Sequence, residues 1–336
     1  MSSLHGFGLG IVSENARGTV LDTFYPQPVA QLSDELASVL SGVSGRLDAA
    51  QLEALSKALT AAGDSAGAGL AMQLAAAEGK VVATSLAEDA PPRSVEEAYL
   101  KLHLISHRWV KPHETDLTGL FGLLPNVAWT DQGPVDLEEL PQRQLSARLK
   151  GSVLEVSSVD KFPKMTNYVV PAGVRIAHTA RVRLGAYLGE GTTVMHEGFI
   201  NFNAGTEGPG MIEGRISAGV WVGEGSDLGG GCSTMGTLSG GGDIVISVGK
   251  ECLIGANAGL GIPLGDRCTI EAGLFVTAGT KVNVLDEGGD TIETISARTL
   301  AGRPDLLFRR HSSTGAVQCL TNKSAIELNE MLHANN

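Results

Sequence analysis

Apolar residues return every six positions through the middle of this chain, and this period restricts the fold more than any other feature. The register lapses and resumes, and its members are Val170, Ile176, Val182, Leu188, Val194, Ile200, Ile216, Val222, Leu228, Val248, Ile254, Leu264, Ile270, Val276 and Val282. Neither the 3.6-residue period of an α-helix nor the alternation of a strand produces a strict six. A parallel β-helix does, because each hexad supplies one short strand and the turn to the next face. We expect the left-handed form, an exception to right-handed crossovers, with the apolar residue of each hexad pointing into a narrow triangular core.

The composition suits such a core and limits the partners. Aromatic residues make up only 4% of the 336 residues, whereas glycine occurs 44 times, as repeated tight corners require. A chain of this length is expected to hold about two or three domains. The formal net charge of −12 argues against nucleic acid, because binding DNA or RNA needs a basic face. An anionic ligand would need a local basic cluster, and Arg309-Arg310 is one.

Cysteine usage and the amino-terminal sequence indicate the compartment. The four cysteines, Cys232, Cys252, Cys268 and Cys319, form no CxxC pair. We therefore predict buried thiols rather than a disulfide or a zinc site. The start, MSSLHGFGLG, has neither a basic nor an apolar leader region, and no stretch has the ~18 apolar residues of a membrane span. We expect a soluble, cytoplasmic protein.

Local patterns divide the chain into four segments. Polar and apolar residues alternate around Ile11-Val12 and Val20-Leu21, which predicts a hairpin, and leucines at helical spacing follow in residues 31–80. Ser94-Val-Glu-Glu97 is a capping box that begins a helix, and Ser324-Ala-Ile-Glu327 is another. The predicted segments are an α/β domain (1–110), a β-rich connection (111–166), the β-helix (167–282) and a small carboxy-terminal segment (283–336).

The hexad register is interrupted at 201–215 and at 234–247. A coil repeat tolerates insertions as loops directed outward, and such loops commonly form the binding face. The interruptions lie within MHEGFINFNAGTEGPGMIEGRISAG (195–219) and DLGGGCSTMGTLSGGGDIVISVGK (227–250). With DKFPKMTNYVVPAGVRI (160–176) and LLFRRHSSTGAV (306–317), these strings closely resemble the tetrahydrodipicolinate N-succinyltransferases, in particular the actinobacterial and pseudomonad branch.

This resemblance implies a reaction and an assembly. Members of the family transfer a succinyl group from succinyl-CoA to the amine of ring-opened tetrahydrodipicolinate, a step toward diaminopimelate and lysine. They are homotrimers whose active sites lie in the clefts between neighbouring β-helices. The resemblance therefore predicts two small-molecule substrates, succinyl-CoA and tetrahydrodipicolinate, and self-association into a trimer.

Glu213, in Met-Ile-Glu-Gly-Arg, is the candidate catalytic residue. A carboxylate at this position can deprotonate the acceptor amine or attack the thioester to form a mixed anhydride. The residues alone also allow a solvated loop acid, whereas the resemblance identifies this Glu as the family's catalytic carboxylate. The resemblance also places the oxyanion donor at Gly236, although the glycine runs 229–231 and 240–242 are equally compatible with plain turns.

Coenzyme A is expected along a groove beside the coils. The resemblance implies contacts with Arg215, Gly230, Ser233, Ala256, Glu271, Ala272, Gly279, Arg309, Arg310, His311 and Ser312. Paired arginines bind phosphate through forked hydrogen bonds, although a solvated surface pair is the alternative. A lysine that helps to hold CoA in the family corresponds to Ser296 here.

Two patterns raise the question of a metal. His178 and His196 are one full coil apart and are expected to stack. A zinc site as in β-helical carbonic anhydrases would need a third ligand, and no other histidine is in register. Some relatives bind a divalent ion such as magnesium through an Asp and a Glu. Glu197 matches the Glu, but Ala180 occupies the Asp position, which favours a structural role for Glu197.

Two other functions are compatible with the sequence. An N-acetyltransferase would use the same fold with acetyl-CoA as the donor. A non-catalytic trimeric scaffold would share the β-helix but would bind no CoA, and it would leave the polar residues of 195–219 without a role.

Overall fold

The computed structural model describes residues 5–236 and 244–321 of the chain. The chain divides into two compact units. The first contains Met1–Val110, Glu114–Pro163 and Asn167–Val169, and the second contains Lys111–His113, Lys164–Thr166 and Val170–Asn336. The finer division into four segments stays a prediction. Among the described residues, no helix has both the length and the hydropathy needed to cross a membrane.

The first unit is an α/β structure with one antiparallel sheet of five strands and one of three. Its strands are β1 (Gly6–Glu14), β2 (Val20–Phe24), β3 (Val29–Ala30), β4 (Gly45–Arg46), β5 (Lys80–Leu86), β6 (Val127–Thr130), β7 (Gly133–Asp136) and β8 (Val156–Asp160). Its helices are α1 (Asp34–Leu40), α2 (Ala49–Ala61), α3 (Ser65–Ala75), α4 (Val95–Ser106), α5 (Leu120–Leu123) and α6 (Leu140–Leu149). The strand orders are β2-β1-β5-β4, with β3 on β1, and β7-β6-β8.

Several local predictions for this unit are confirmed. β1 and β2 form the antiparallel hairpin, in which Ile11 pairs with Phe24 and Val12 with Thr23. Ser94 caps α4 by accepting a hydrogen bond from the backbone N–H of Glu97. The reciprocal bond differs from a standard capping box, because the Glu97 carboxylate accepts from Arg93 N (2.8 Å) rather than from Ser94. The helix α6 lies in the stretch for which only short strands were expected.

The second unit is a parallel β-helix with three flat faces. Its strands are β9 (Arg175–Ile176), β10 (Ala186–Leu188), β11 (Thr192–Val194), β12 (Phe199–Ile200), β13 (Ala204–Thr206), β14 (Gly210–Ile212), β15 (Arg215–Ile216), β16 (Trp221–Val222), β17 (Asp227–Leu228), β18 (Ser233–Thr234), β19 (Ser247–Val248), β20 (Leu253–Ile254), β21 (Gly259–Gly261), β22 (Thr269–Ile270) and β23 (Phe275–Thr277). Face 1 is β10-β13-β16-β19, face 3 is β12-β15-β18-β21-β23, and face 2 runs from β9 through β11, β14, β17 and β20 to β22.

The chain leaves the coils and then returns to close their end. It forms β24 (Lys281–Leu285), β25 (Thr291–Ser296), β26 (Leu306–Arg310) and β27 (Val317–Thr321). Short 3₁₀ turns are found before β9 at Met165–Asn167, after β9 at Thr179–Arg181 and after β25 at Ala297–Leu300. β26 extends face 2 in parallel, with Ile270 paired to Phe308. The predicted helix after Ser324 lies outside the described residues.

The hexad residues form the core as predicted, with an exception at the start. From Val182 to Val282 each apolar member of the register is at most 4% exposed. Val170 is 64% exposed, so the prediction of an inward side chain is wrong for this residue. The first strand that pairs in parallel is β9, which explains the difference, because no coil precedes Val170 to cover it. All four cysteines are free and buried, as expected.

The first interruption of the register is not an outward loop. Residues 201–215 stay in the coils, where β13 pairs with β10 and β14 pairs with β11. The hexad position is filled by Thr206, which is buried and shares a 2.7 Å hydrogen bond with the Thr192 hydroxyl. The irregularity is a turn shortened by two residues, since only four positions separate Ile212 from Ile216. The second interruption, between Thr234 and Val248, is a true insertion, and residues 237–243 of it lie outside the described part.

Candidate functional site

The turns that follow face 2 form one continuous edge of the prism, called here the second edge. In each turn, the residue that follows the inward side chain is called here the first-column residue. Its backbone N–H donates a hydrogen bond to a backbone carbonyl of the next coil. The bonds run from Met195 to Ile212, Glu213 to Leu228, Gly229 to Ile254, Gly255 to Ile270 and Glu271 to Phe308, and their lengths lie between 2.7 and 2.9 Å. The following positions form a second column, consisting of His178, His196, Gly214, Gly230, Ala256, Ala272 and Arg310.

Four predicted CoA contacts are therefore members of a single column. Gly230, Ala256, Ala272 and Arg310 follow one another along the second edge, although they are far apart in the sequence. Neighbouring strands are ~4.8 Å apart, so the four steps from Glu213 to Arg309 cover ~19 Å. The middle of this edge carries no side chain larger than a methyl group in its second column. Such a surface allows an extended ligand to approach the backbone closely.

Close stacking explains the glycines of this edge. A Cβ atom on Gly255 would lie 2.4 Å from the Ala272 nitrogen, and one on Gly229 would lie 2.8 Å from the Ala256 nitrogen. Neither distance is compatible with a side chain, so consecutive turns pack backbone against backbone.

Glu213 is located at the shortened turn. Its backbone N–H donates to Leu228 O (2.8 Å), and its carboxylate lies beside Gly230, where an added methyl group would be 3.4 Å from Glu213 Oε2. The thiol of Cys232 is close by, and burial together with the Glu213 charge raises its pKa to about 12. Cys232 is therefore a neutral neighbour of the carboxylate at physiological pH.

A cleft opens next to this turn, and it is called here the Glu213 cleft after the turn that it adjoins. Its lining consists of Arg181, Glu197, Phe199, Gly214, Arg215, Gly230, Gly231, Cys232 and Asn257, and its empty volume, which is open to solvent, is about 1040 Å³. The structure thus brings the predicted residues Glu197, Arg215 and Gly230 together around one cleft. Arg215 is exposed, and its backbone N–H donates to Cys232 O (2.8 Å).

Ser233 is on face 3 and Gly236 is in the turn that follows it, and neither residue is in this lining. Ser233 points outward between Arg215 and Gly259, with which it pairs in register. Gly236 is two residues after the inward Thr234, and a Cβ placed on it would lie 3.4 Å from Ala218 O. Thr234 is held by a bond from its hydroxyl to Arg215 O (2.9 Å), which links this strand to the one that carries Arg215. The region near Gly230 and the region near Gly236 are therefore consecutive turns of the same coil.

The β26–β27 hairpin brings the predicted basic residues to the far end of the second edge. Arg310 N donates to the Glu271 carboxylate (2.7 Å), and Arg310 Nη1 donates to Gly315 O (3.1 Å). Arg309 Nε donates to Gln318 Oε1 (3.0 Å). Both guanidinium groups remain exposed, so each has further donors directed to solvent.

The other hairpin residues are in the loop. His311 N donates to Ala316 O (2.8 Å), its Nδ1 is 2.9 Å from the Thr314 hydroxyl, and Ser312 is exposed. Gly279 is elsewhere, in the turn after β23, where no described atom lies within 4 Å of an added methyl group. Ser296 accepts a hydrogen bond from Lys281 Nζ (3.2 Å), so an ammonium group is next to this position although the family lysine is absent.

The residues near Glu197 do not fit a divalent metal site. His178 and His196 stack as predicted, edge to face with ring centroids 5.2 Å apart. The Glu197 carboxylate already faces a cation, since Arg181 Nη2 is 3.7 Å from Glu197 Oε2, and Ala180 offers only a methyl group. Among the described residues, no group of three His, Cys, Asp or Glu side chains is arranged to hold a metal ion.

Three residues of the cleft were not identified from the sequence. Arg181 and Phe199 each precede an inward hexad residue, so the alternation of a strand was a signal that they face outward near Arg215. Asn257 directly follows the second column of the second edge and has a φ of 56°. Gly231 and Gly273, which have the same position in neighbouring coils, also have positive φ. An Asn among such glycines is a signal of a left-handed turn position that offers a polar side chain.

Two family models match parts of this chain. Residues 124–164 match the family model described as tetrahydrodipicolinate N-succinyltransferase middle, and residues 245–278 match the model described as hexapeptide repeat of succinyl-transferase. The hexapeptide-repeat match confirms the predicted left-handed β-helix.

Full-length relatives extend the agreement to the whole chain. The 2,3,4,5-tetrahydropyridine-2,6-dicarboxylate N-succinyltransferase of Pseudomonas putida is 64% identical, over 100% of this chain and 99% of the relative. The enzyme of the same name from Vibrio cholerae is 58% identical, over 98% of both. A crystal structure of a 2,3,4,5-tetrahydropyridine-2-carboxylate N-succinyltransferase from Campylobacter jejuni superposes with a TM-score of 0.88 at 32% identity, covering 97% of this chain and 94% of that one. The chain belongs to the tetrahydrodipicolinate N-succinyltransferase family.

Proposed function

We propose that this chain transfers the succinyl group of succinyl-CoA to the amine of ring-opened tetrahydrodipicolinate, with Glu213 as the catalytic carboxylate. The observation that carries the proposal is the second edge. It has a carboxylate at a shortened turn, an uncharged strip of Gly230, Ala256 and Ala272, and Arg309 and Arg310 at its far end.

The strip and the arginines suit the two parts of coenzyme A. The pantetheine arm is long and uncharged, and it would lie along the small residues, where backbone groups are accessible. The phosphates would be bound by Arg309 and Arg310, whose free N–H groups are directed to solvent. Glu271 fixes the backbone at Arg310 and thereby orients the hairpin. Contacts with Ser233, Gly279, His311 and Ser312 would complete the CoA site.

The chemistry follows from the carboxylate. Glu213 accepts a proton from the acceptor amine as its nitrogen attacks the thioester carbonyl. The N–H group of Gly236 stabilises the oxyanion that forms. The C–S bond then breaks, the amide forms, and the CoA thiolate takes up the proton. In the alternative route the Glu213 carboxylate attacks the thioester first and displaces the CoA thiolate. The amine then attacks the succinyl carbonyl of the resulting anhydride, the Glu213 carboxylate is released, and the thiolate takes up the amine proton.

The assembly and the location belong to the same proposal. We expect a homotrimer in which a neighbouring β-helix completes the cleft beside Glu213, and a cytoplasmic protein. Support for the trimer comes from the hexapeptide-repeat family, and the cleft at Glu213 is open on one side. Sedimentation at several protein concentrations tests the trimer.

A steady-state assay tests the function. CoA release is measured with succinyl-CoA, with and without the amino-oxopimelate acceptor, and repeated with acetyl-CoA. We expect acceptor-dependent release with succinyl-CoA. Release that depends on the acceptor only with acetyl-CoA would identify an N-acetyltransferase. Absence of CoA binding by calorimetry would identify a non-catalytic scaffold and refute the proposal.

A further inference from the structure

The outward side of face 3 bears two residues, Arg181 and Phe199, that are not among the predicted CoA contacts. Phe199 pairs with Arg215, and Arg215 pairs with Ser233. The bridge between Val182 and Ile200 places Arg181 one strand before Phe199. Arg181 and Arg215 are therefore two strands, or ~10 Å, apart along the face, and both line the Glu213 cleft with Phe199 between them.

Glu197 holds the Arg181 side chain, but it accepts hydrogen bonds from only part of the guanidinium group. Its Nη2 donates to Glu197 O (2.7 Å) and is 3.7 Å from the Glu197 carboxylate. Its Nε is buried and has no acceptor among the described residues. The side chain is 40% exposed, so the guanidinium is positioned by Glu197 while other N–H donors remain accessible from the cleft. A planar guanidinium with free donors is suited to a carboxylate.

The substrates of the proposed reaction supply such carboxylates. The acceptor has two carboxylates besides its amine, and the succinyl group has one. In a chain with a net charge of −12, an arginine in the cleft lining offsets the repulsion that an anionic substrate would otherwise meet. We propose that Arg181 binds a substrate carboxylate in the Glu213 cleft and so contributes to selection of dicarboxylate substrates. This inference rests on the proposed function.

Kinetics of Arg181→Ala and Arg181→Lys test the assignment. Because a charge-assisted hydrogen bond is lost, we expect Arg181→Ala to raise one substrate's KM about 10- to 100-fold, while kcat changes less. A rise for the acceptor identifies an acceptor carboxylate as the ligand. A rise for succinyl-CoA, with no change in CoA affinity, identifies the succinyl carboxylate. Arg181→Lys keeps the charge without the fork, so it should recover part of the loss.

The control is Arg175→Ala, which removes an exposed arginine of β9 that is not in the cleft lining. It should leave both KM values unchanged. Binding of pimelate, a seven-carbon dicarboxylate that cannot be acylated, provides a readout that is independent of turnover. Weaker pimelate binding by Arg181→Ala, with a melting temperature like that of the wild type, supports an acceptor site even if the wild type proves inactive with succinyl-CoA. If both KM values and pimelate binding are unchanged, the proposal is wrong.

Discussion

Two edges of the same prism share their architecture and differ in their chemistry. The first edge follows face 1, and its second column is Glu190, Gly208, Glu224, Lys250 and Asp266. The second edge follows face 2 and has His196, Gly214, Gly230, Ala256 and Ala272 at the corresponding positions. Both edges use glycine in the first column where stacked backbones exclude a Cβ, as at Gly249, whose added methyl would be 2.5 Å from Gly265. Glycine at an edge is therefore architectural, and the residue after it decides whether the edge is a charged surface or a groove.

The largest effect is expected from a pair of glutamates at matching first-column positions. Glu213→Gln keeps the shape but removes the proton acceptor, so kcat should fall about 10²- to 10⁴-fold. Glu207→Gln is the matched control, because Glu207 has the same position on the first edge and pairs with Lys250 at 3.5 Å. Its activity should be close to that of the wild type. Equal loss in both variants, measured as CoA release, would remove the functional distinction between the edges.

The next test converts the groove into a charged surface. Ala256→Glu introduces a carboxylate into the second column, in which the first edge carries Glu224 and Asp266, and it should weaken CoA binding about 10-fold or more through steric exclusion and charge repulsion. The reciprocal change, Glu224→Ala, removes a charge from the first edge and should leave the CoA dissociation constant unchanged. Isothermal titration of both variants with CoA measures the difference. Undiminished binding by Ala256→Glu would place the ligand elsewhere.

A smaller effect is expected where the edges are alike. Gly249→Ala and Gly255→Ala each force a methyl group against backbone at 2.5 Å or less, so each should destabilise the fold by about 1–3 kcal/mol. Gly69→Ala in α3 is the control, because no described atom is within 4 Å of the added methyl, and it should raise stability slightly. Thermal melting compares the three variants. If only one edge variant is destabilised, the shared architecture is refuted.

The smallest effect concerns charge pairing at the first edge. Arg267 binds Asp305 through two hydrogen bonds, of 2.6 and 2.9 Å, and these bonds lower the pKa of Asp305. A carboxyl whose pKa is lower in the folded state stabilises the protein above its unfolded pKa and loses this contribution as the pH falls through the folded value. Asp305→Asn should therefore melt at a slightly lower temperature than the wild type at pH 7, with the difference closing below about pH 4. A difference that does not shrink as the pH falls below about 4 would rule out the ion pair as its cause.

The sequence predicted the prism well because a buried apolar side chain recurs at every sixth position in most of the coils. Where the inward residue was polar, as at Thr206, the register could not be followed. The threonine is tolerated because Thr192 satisfies its hydroxyl, which is a contact between coils that composition does not reveal. The two-residue shortening before Ile216 was therefore taken as an insertion. The helix α6 was not predicted because none of its residues is buried, and its sequence therefore has no apolar stripe.

The site was predicted as a set of residues but not as an arrangement. The positions of Gly230, Ala256 and Ala272 in one column depend on turn lengths that vary between coils. The placement of Arg310 depends on β26 returning to face 2, although 37 residues lie between Ile270 and Phe308. The residue roles and the trimer remain predictions to be tested by the experiments above.

The return of β26 also has a consequence for solubility. Without it, β22 would present a row of unpaired N–H and C=O groups above an open apolar interior, and identical prisms could add to one another end to end. Phe308, fully buried against Ile270, closes that interior with the same hairpin that carries Arg309 and Arg310. We therefore expect this hairpin to prevent end-to-end growth of the coils, in addition to its proposed part in binding CoA. A substitution that disrupts the hairpin is therefore expected to cause polymerisation before any loss of CoA affinity can be measured.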